Sequence, residues 1–314
     1  MAMTMLAAAV LSVAVPAAPG REITIAGPQG ALAGVYQAAG KGAPVVVIIP
    51  GSGPTDRDGN NPLGITASSY RMLAEALAAK GVASIRIDKR GMFGSKAAVP
   101  DGNKVTIAEY ASDARKWAAE ATRLTGAKCA WLAGHSEGAL VALAAAQTPG
   151  LCGVVSIAGA GRPIGTIMRA QLRANPANAP LLDDALAAID ALEKGGSVDV
   201  SAKPRPLQML FSAAVQPYFR DLFSYDPARL AATAKGRLLI VQGGRDLQVS
   251  VADAEALKAA RPDATLAIAP NANHVLKSVP DDRAANQASY GDSSLPIDPA
   301  VVDAVAAFVL PGGR

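Results

Sequence analysis

Apolar and polar positions along the chain alternate between two periods. Glu22-Ala26 and Leu32-Gln37 read as short strands joined by Gly27-Pro28-Gln29-Gly30, a hairpin-like turn. Pro44-Pro50 (PVVVIIP) is a continuous β-branched run, as expected of a strand buried on both faces. Ser68-Lys80 places Tyr70, Leu73, Ala74 and Leu77 at helical spacing, and Gly81 ends it. Val82-Asp88 returns to strand. Thr106-Arg123 is a helix that Thr106 and Glu109 open as a capping box. Strand Lys128-Gly134, helix Ser136-Gln147 and strand Leu151-Ala158 follow. The rhythm lapses over residues 161–234, which hold helical segments at Ile164-Ala174 and Leu181-Glu193 and then a Gly/Pro-punctuated stretch. It resumes with strand Arg237-Gln242, helix Ala252-Ala260, strand Ala264-Ala269 and helix Pro299-Leu310. Alternating β and α elements predict a mostly parallel sheet with helices on both faces. The lapse predicts a helical cap inserted between two strands. The core is then residues 20–160 and 235–314, and the cap 161–234.

Composition narrows the classes. Half of the 314 residues are apolar and the net charge is only +4, which excludes intrinsic disorder. Lys and Arg are scattered and aromatics are few, so no nucleic-acid partner is expected. Met3-Val15 is an uncharged apolar run, too short to cross a bilayer, which takes about 20 residues. It ends in Val15-Pro16-Ala17-Ala18, where Val15 and Ala17 suit a signal cleavage site. No Lys or Arg precedes it. Residues 1–19 are expected to be a signal peptide, making the mature chain an exported one, periplasmic or secreted; a cytoplasmic chain with a buried or frayed N-terminal segment is the alternative. The two cysteines, Cys129 and Cys152, open two apolar runs. On neighbouring parallel strands they lie at one end of the sheet, either as a disulfide or as two buried thiols.

The sharpest chemical signal is Gly134-His135-Ser136-Glu137-Gly138, a G-x-S-x-G pattern that a strand enters and a helix leaves. That context is a nucleophile elbow, which exposes Ser136 above the sheet edge. A serine hydroxyl needs a base, and the chain has two histidines. His135 precedes Ser136 directly and cannot easily reach it. His274, in the loop after Ala264-Ala269, remains. The base needs an acid. Asp246 sits in Gly243-Gly244-Arg245-Asp246 at the C-terminal end of a strand, where α/β active sites form; Asp253, inside the next helix, is weaker. Oxyanion donors are expected from the backbone N–H of Glu137 and of Ser52, the latter in Pro50-Gly51-Ser52-Gly53-Pro54.

These residues carry a resemblance. The stretches IPGSGPTDRDGN (49–60), DKRGMFGS (88–95), GHSEGA (134–139), AGAGR (158–162), SYDP (224–227) and QGGRDLQV (242–249), with Asn273-His274, resemble the α/β-hydrolases of the bacterial serine esterase group often labelled serine aminopeptidase-like. The likeness runs from about residue 20 to 310. It implies the α/β-hydrolase fold and carboxylic ester hydrolysis without a cofactor. It implies a Ser-Asp-His triad at Ser136, Asp246 and His274, with an oxyanion position at Ser52. Pro50-Gly51 stands where a common hydrolase pattern has His-Gly. A short-acyl, small-molecule ester is the expected substrate; peptidase, amidase, thioesterase or acyltransferase chemistry on the same triad is the alternative. Asp56-Arg57-Asp58 and Asp88-Lys89-Arg90 are expected to brace loops. Phe211, Tyr218, Phe219, Phe223 and Tyr225 cluster in the cap, either as an apolar roof over the site or as the cap's own core. Arg162 either meets a substrate carboxylate or anchors the cap.

Overall fold

The computed structural model describes residues 19–312. The apolar run at the N-terminus, and with it the signal-peptide expectation, lies outside the described residues. Eight strands form one sheet: β1 (Arg21–Ala26), β2 (Ala31–Gln37), β3 (Val45–Ile49), β4 (Ala83–Ile87), β5 (Trp131–His135), β6 (Gly153–Ile157), β7 (Arg237–Gly243) and β8 (Thr265–Ala269). Their order is β1-β2-β4-β3-β5-β6-β7-β8. β2 pairs antiparallel with both β1 and β4, and β4-β3-β5-β6-β7-β8 are parallel.

The continuous β-branched runs become the central strands because both of their faces are covered. Along β3, Val45, Val47 and Ile49 enter one apolar cluster while Val46 and Ile48 enter the other. The first cluster packs beneath α2 (Ile107–Thr125), α3 (Glu137–Ala145) and α9 (Val251–Ala260); the second beneath α1 (Ser69–Ala79) and α11 (Pro299–Val309). The capping box of α2 forms: Glu109 N–H donates to Thr106 Oγ1 (3.2 Å) and Thr106 N–H to Glu109 Oε2 (2.9 Å).

Strand β5 starts at Trp131 rather than Lys128. Cys129 therefore lies just before the strand, and Cys152 just before β6. The two form a disulfide with Cα atoms 5.3 Å apart, resolving the alternative of free thiols.

Between β6 and β7 come α4 (Ile164–Ala174), α5 (Leu182–Glu193), α6 (Arg205–Leu210), α7 (Gln216–Phe223) and α8 (Pro227–Thr233). The last three occupy the stretch read as merely Gly/Pro-punctuated. Each has a proline in its first turn, where the missing N–H costs nothing and the fixed φ favours the helix. A further helix not read from the sequence, α10 (Arg283–Ala288), follows β8. Helices α4 to α7 share a small core of their own, with Ile189, Leu192, Leu207 and Phe211 at its centre. Helix α8 instead lies against α3 and α9.

Candidate active site

Ser136 sits between β5 and α3 with φ 54° and ψ −120°, a strained conformation for a residue with a Cβ. The turn closes only because its flanks are glycines. A Cβ on Gly134 would lie 2.0 Å from the Gly138 carbonyl oxygen, and one on Gly138 would lie 2.3 Å from that of Ile49. The elbow is pinned to the sheet by Ser136 N–H donating to Ile157 O at 2.9 Å. Among the described residues the Ser136 hydroxyl makes no hydrogen bond. It lines a cavity of about 120 Å³ together with His274.

His274 is brought there by the loop after β8 and Asp246 by the loop after β7. His274 Nδ1 meets Asp246 Oδ2 at 2.8 Å. The carboxylate accepts only, so Nδ1 carries the hydrogen and Nε2 is the basic nitrogen. Asp246 is itself over-determined: Oδ1 accepts from the N–H groups of Gln248 (2.7 Å) and Val249 (3.0 Å), and Oδ2 from Gln242 Nε2 (3.2 Å). Burial alone would raise its carboxyl, but His274 and these N–H groups outweigh that and hold it below the ordinary carboxylate range. Neither Gln242 nor Gln248 stands out in the sequence; side-chain amides are too common to signal a role without their partner in view.

His135 is occupied elsewhere. Its Nε2 lies 2.8 Å from the His274 carbonyl, which can only accept, so Nε2 carries the hydrogen. Nδ1 is then the acceptor for Tyr70 O–H at 2.8 Å, and the Tyr70 oxygen in turn accepts from Gly51 N–H at 3.1 Å. Burial, and secondarily the charge His274 can carry, hold the His135 ring down from 6.5 to about 3. It stays neutral and cannot serve as the mobile base.

Two backbone N–H groups flank Ser136 without acceptors among the described residues: those of Ser52 and Glu137. The Glu137 N–H opens α3, where helix geometry leaves the first N–H groups unpaired and the dipole favours negative charge.

The remaining cavity wall comes from residues 51–70 and from Gln248 and Val275. Thr55, Asn61, Ser69 and Tyr70 contribute polar atoms to a mixed lining, and Ile65 and Val275 contribute aliphatic ones. The five cap aromatics do not line it. Phe211, Phe219 and Phe223 fill the cap's own core, while Tyr218 and Tyr225 pack down on the sheet layer. The roof alternative is thereby corrected: three of the rings hold the cap together and two seat it on the sheet layer. Arg162 pairs with Asp253 (2.7 Å) and anchors the start of the cap. Of the two charged runs, Asp88 pairs with Arg57 (3.0 Å), Lys89 with Glu137 (3.0 Å), Arg90 with Asp113 (2.5 Å) and Asp58 with Arg86. Asp56 instead accepts the N–H groups of Asp58 and Asn60.

An elbow serine, a His–Asp pair and free N–H donors at the carboxyl edge of a mostly parallel sheet define the hydrolase class of α/β protein. The family model for the alpha/beta hydrolase family matches residues 46–288, and the chain belongs to that family. Esterase EstD of Thermotoga maritima is 30% identical over 216 residues, 68% of this chain. The match spans about half (48%) of that esterase's length. Among solved structures, a Pyrococcus furiosus esterase superposes with TM-score 0.52 at 20% identity, covering 82% of this chain and 83% of the other. Est1E of Butyrivibrio proteoclasticus does so with TM-score 0.55 at 16% identity, over 86% and 96%. A puromycin-hydrolysing peptidase of Mycobacterium tuberculosis gives 0.56 at 18%, over 96% of this chain and 40% of its own. At these identities the structural matches establish the fold. No helix among the described residues is long and apolar enough to cross a membrane.

Proposed function

We propose that this chain is a serine carboxylesterase that hydrolyses short-acyl esters of small molecules through an acyl-enzyme. The observation that carries this is that Ser136, Ser52 and His274 line one cavity, with His274 paired to Asp246 and the unpaired Glu137 N–H directly after Ser136 in the chain. His274 Nε2 takes the Ser136 Oγ proton as Oγ attacks the ester carbonyl. The Ser52 and Glu137 N–H groups receive the tetrahedral oxyanion. Asp246 holds the imidazole in its tautomer and stabilises the imidazolium. The imidazolium returns the proton to the departing alcohol. Water, deprotonated by the same nitrogen, then releases the acid and restores Ser136.

The small cavity favours a short acyl group over a long alkyl chain. The esterase relative supports ester over amide chemistry. The disulfide supports export, since such bonds persist in oxidising compartments. A panel of nitrophenyl esters from acetyl to dodecanoyl, run beside aminoacyl anilides and thioesters, tests the reading. The highest kcat/KM is expected for acetyl to butyryl esters. A rate that climbs with chain length, or faster turnover of anilides, overturns it.

A further inference from the structure

We propose that Lys89 is a positioning residue for this reaction: by gripping the Gly51 carbonyl it aims the Ser52 N–H at the oxyanion. The inference rests on Ser136 being the nucleophile.

Lys89 follows β4, and its side chain is 2% exposed. Its Nζ donates to Gly51 O (2.7 Å) and to Glu137 Oε1 (3.0 Å) and lies 5.2 Å from the centre of the Tyr110 ring. A buried ion pair is weak evidence for stability, because desolvation offsets much of the attraction. Its placement is more informative. The three contacts join the loop after β3, the first residue of α3 and the face of α2.

The described peptide bonds are all trans, so the C=O and N–H of the Gly51–Ser52 unit point in opposite directions. With the carbonyl turned onto Lys89, the Ser52 N–H is turned away from it. That N–H has no acceptor among the described residues, and Ser52 lines the cavity with Ser136. Gly51 makes the grip necessary. A Cβ there would lie 3.3 Å from the Ser136 Cβ, so glycine allows the close approach. Glycine also leaves the backbone free to rotate. Two side chains remove that freedom: the Tyr70 hydroxyl oxygen accepts from the Gly51 N–H, and Lys89 donates to its C=O. Lys89 also sets a positive charge against the Glu137 carboxylate, which otherwise stands as an uncompensated negative charge at the end of α3 where the oxyanion forms. Tyr218, from the cap, donates to the other Glu137 oxygen.

The test compares Lys89→Met, Lys89→Met/Glu137→Gln, Tyr70→Phe and Tyr218→Phe with the wild type. It measures kcat and KM on a short-acyl ester, the affinity for a boronic-acid mimic of the tetrahedral state, and Tm. Both Lys89 variants are expected to lose kcat by roughly 10- to 100-fold, the range of a weakened oxyanion donor, with KM within about 3-fold. Boronate affinity should fall in proportion to kcat. The double variant leaves no unpaired buried charge and keeps the test open if Lys89→Met does not fold. Tyr70→Phe frees Gly51 from the other side and carries the same expectation. Tyr218→Phe breaks a bond to the same carboxylate without touching Gly51, and should lower Tm while leaving kcat within about 2-fold. Folded Lys89 or Tyr70 variants with wild-type kcat overturn the proposal. So does a fall in kcat without loss of boronate affinity, or one that Tyr218→Phe reproduces. A wild type inert on every ester, or an active Ser136→Ala, overturns the esterase reading instead.

Discussion

The buried His135 makes folding stability sensitive to mild acid. Its ring is held down from 6.5 to about 3, first by burial and then by the charge His274 can carry. In the unfolded chain the ring takes a proton near its ordinary value. In the folded chain it resists until about 3. Between these values the unfolded state binds more protons, so stability falls as pH falls. His135 costs nothing above about 6.5, and its contribution declines by about 1.4 kcal/mol per pH unit below that. Across the window the loss approaches roughly 5 kcal/mol, a large part of the 5–15 kcal/mol by which domains are stable. Asp246, held below the ordinary carboxylate range, loses its contribution only in a lower window. His135→Gln isolates the effect, since its amide offers a donor to the His274 carbonyl and an acceptor to Tyr70 O–H but does not titrate. Urea unfolding between pH 4 and 7 measures both proteins. The wild-type curve should fall more steeply than the variant's by about 1.4 kcal/mol per unit below pH 6.5. Parallel curves refute the burial of a neutral His135.

Asp246→Asn should lower kcat by roughly 10²- to 10⁴-fold with little change in Tm, because an amide no longer selects the Nδ1–H tautomer of His274; steady-state kinetics with a thermal melt checks both parts. Reducing Cys129–Cys152, or replacing both with alanine, should cost roughly 2–4 kcal/mol of stability but leave kcat unaltered, since the bond lies before β5 and β6 and the site lies after them; urea midpoints with and without reductant measure it.

The strands and the elbow were legible because their signals are local. PVVVIIP reads as a strand buried on both faces, and β3 is one. The glycines of GHSEG read as relief for a sharp turn, and the Cβ clashes at Gly134 and Gly138 give the reason. Helices α6, α7 and α8 are hidden in the sequence because proline marks turns as readily as helix starts, and in each it opens the first turn. The cap aromatics were ambiguous for a different reason: composition records that rings cluster, not which way they face. Tyr70 and Lys89 carried no signal at all. Tyr70 looks like one more apolar position on α1, and Lys89 like one member of a charged run. Their meaning comes from meeting Gly51 across 19 and 38 residues of chain.

Ser136 as the nucleophile is tested most directly by trapping the acyl-enzyme. The wild type, quenched with acid within milliseconds of mixing with nitrophenyl acetate, should gain one acetyl group by intact-mass spectrometry, and peptide mapping should place it on Ser136. Ser136→Ala should show no adduct and lose roughly 10³-fold or more of its ester turnover. An adduct on another residue, or undiminished turnover by Ser136→Ala, contradicts the assignment.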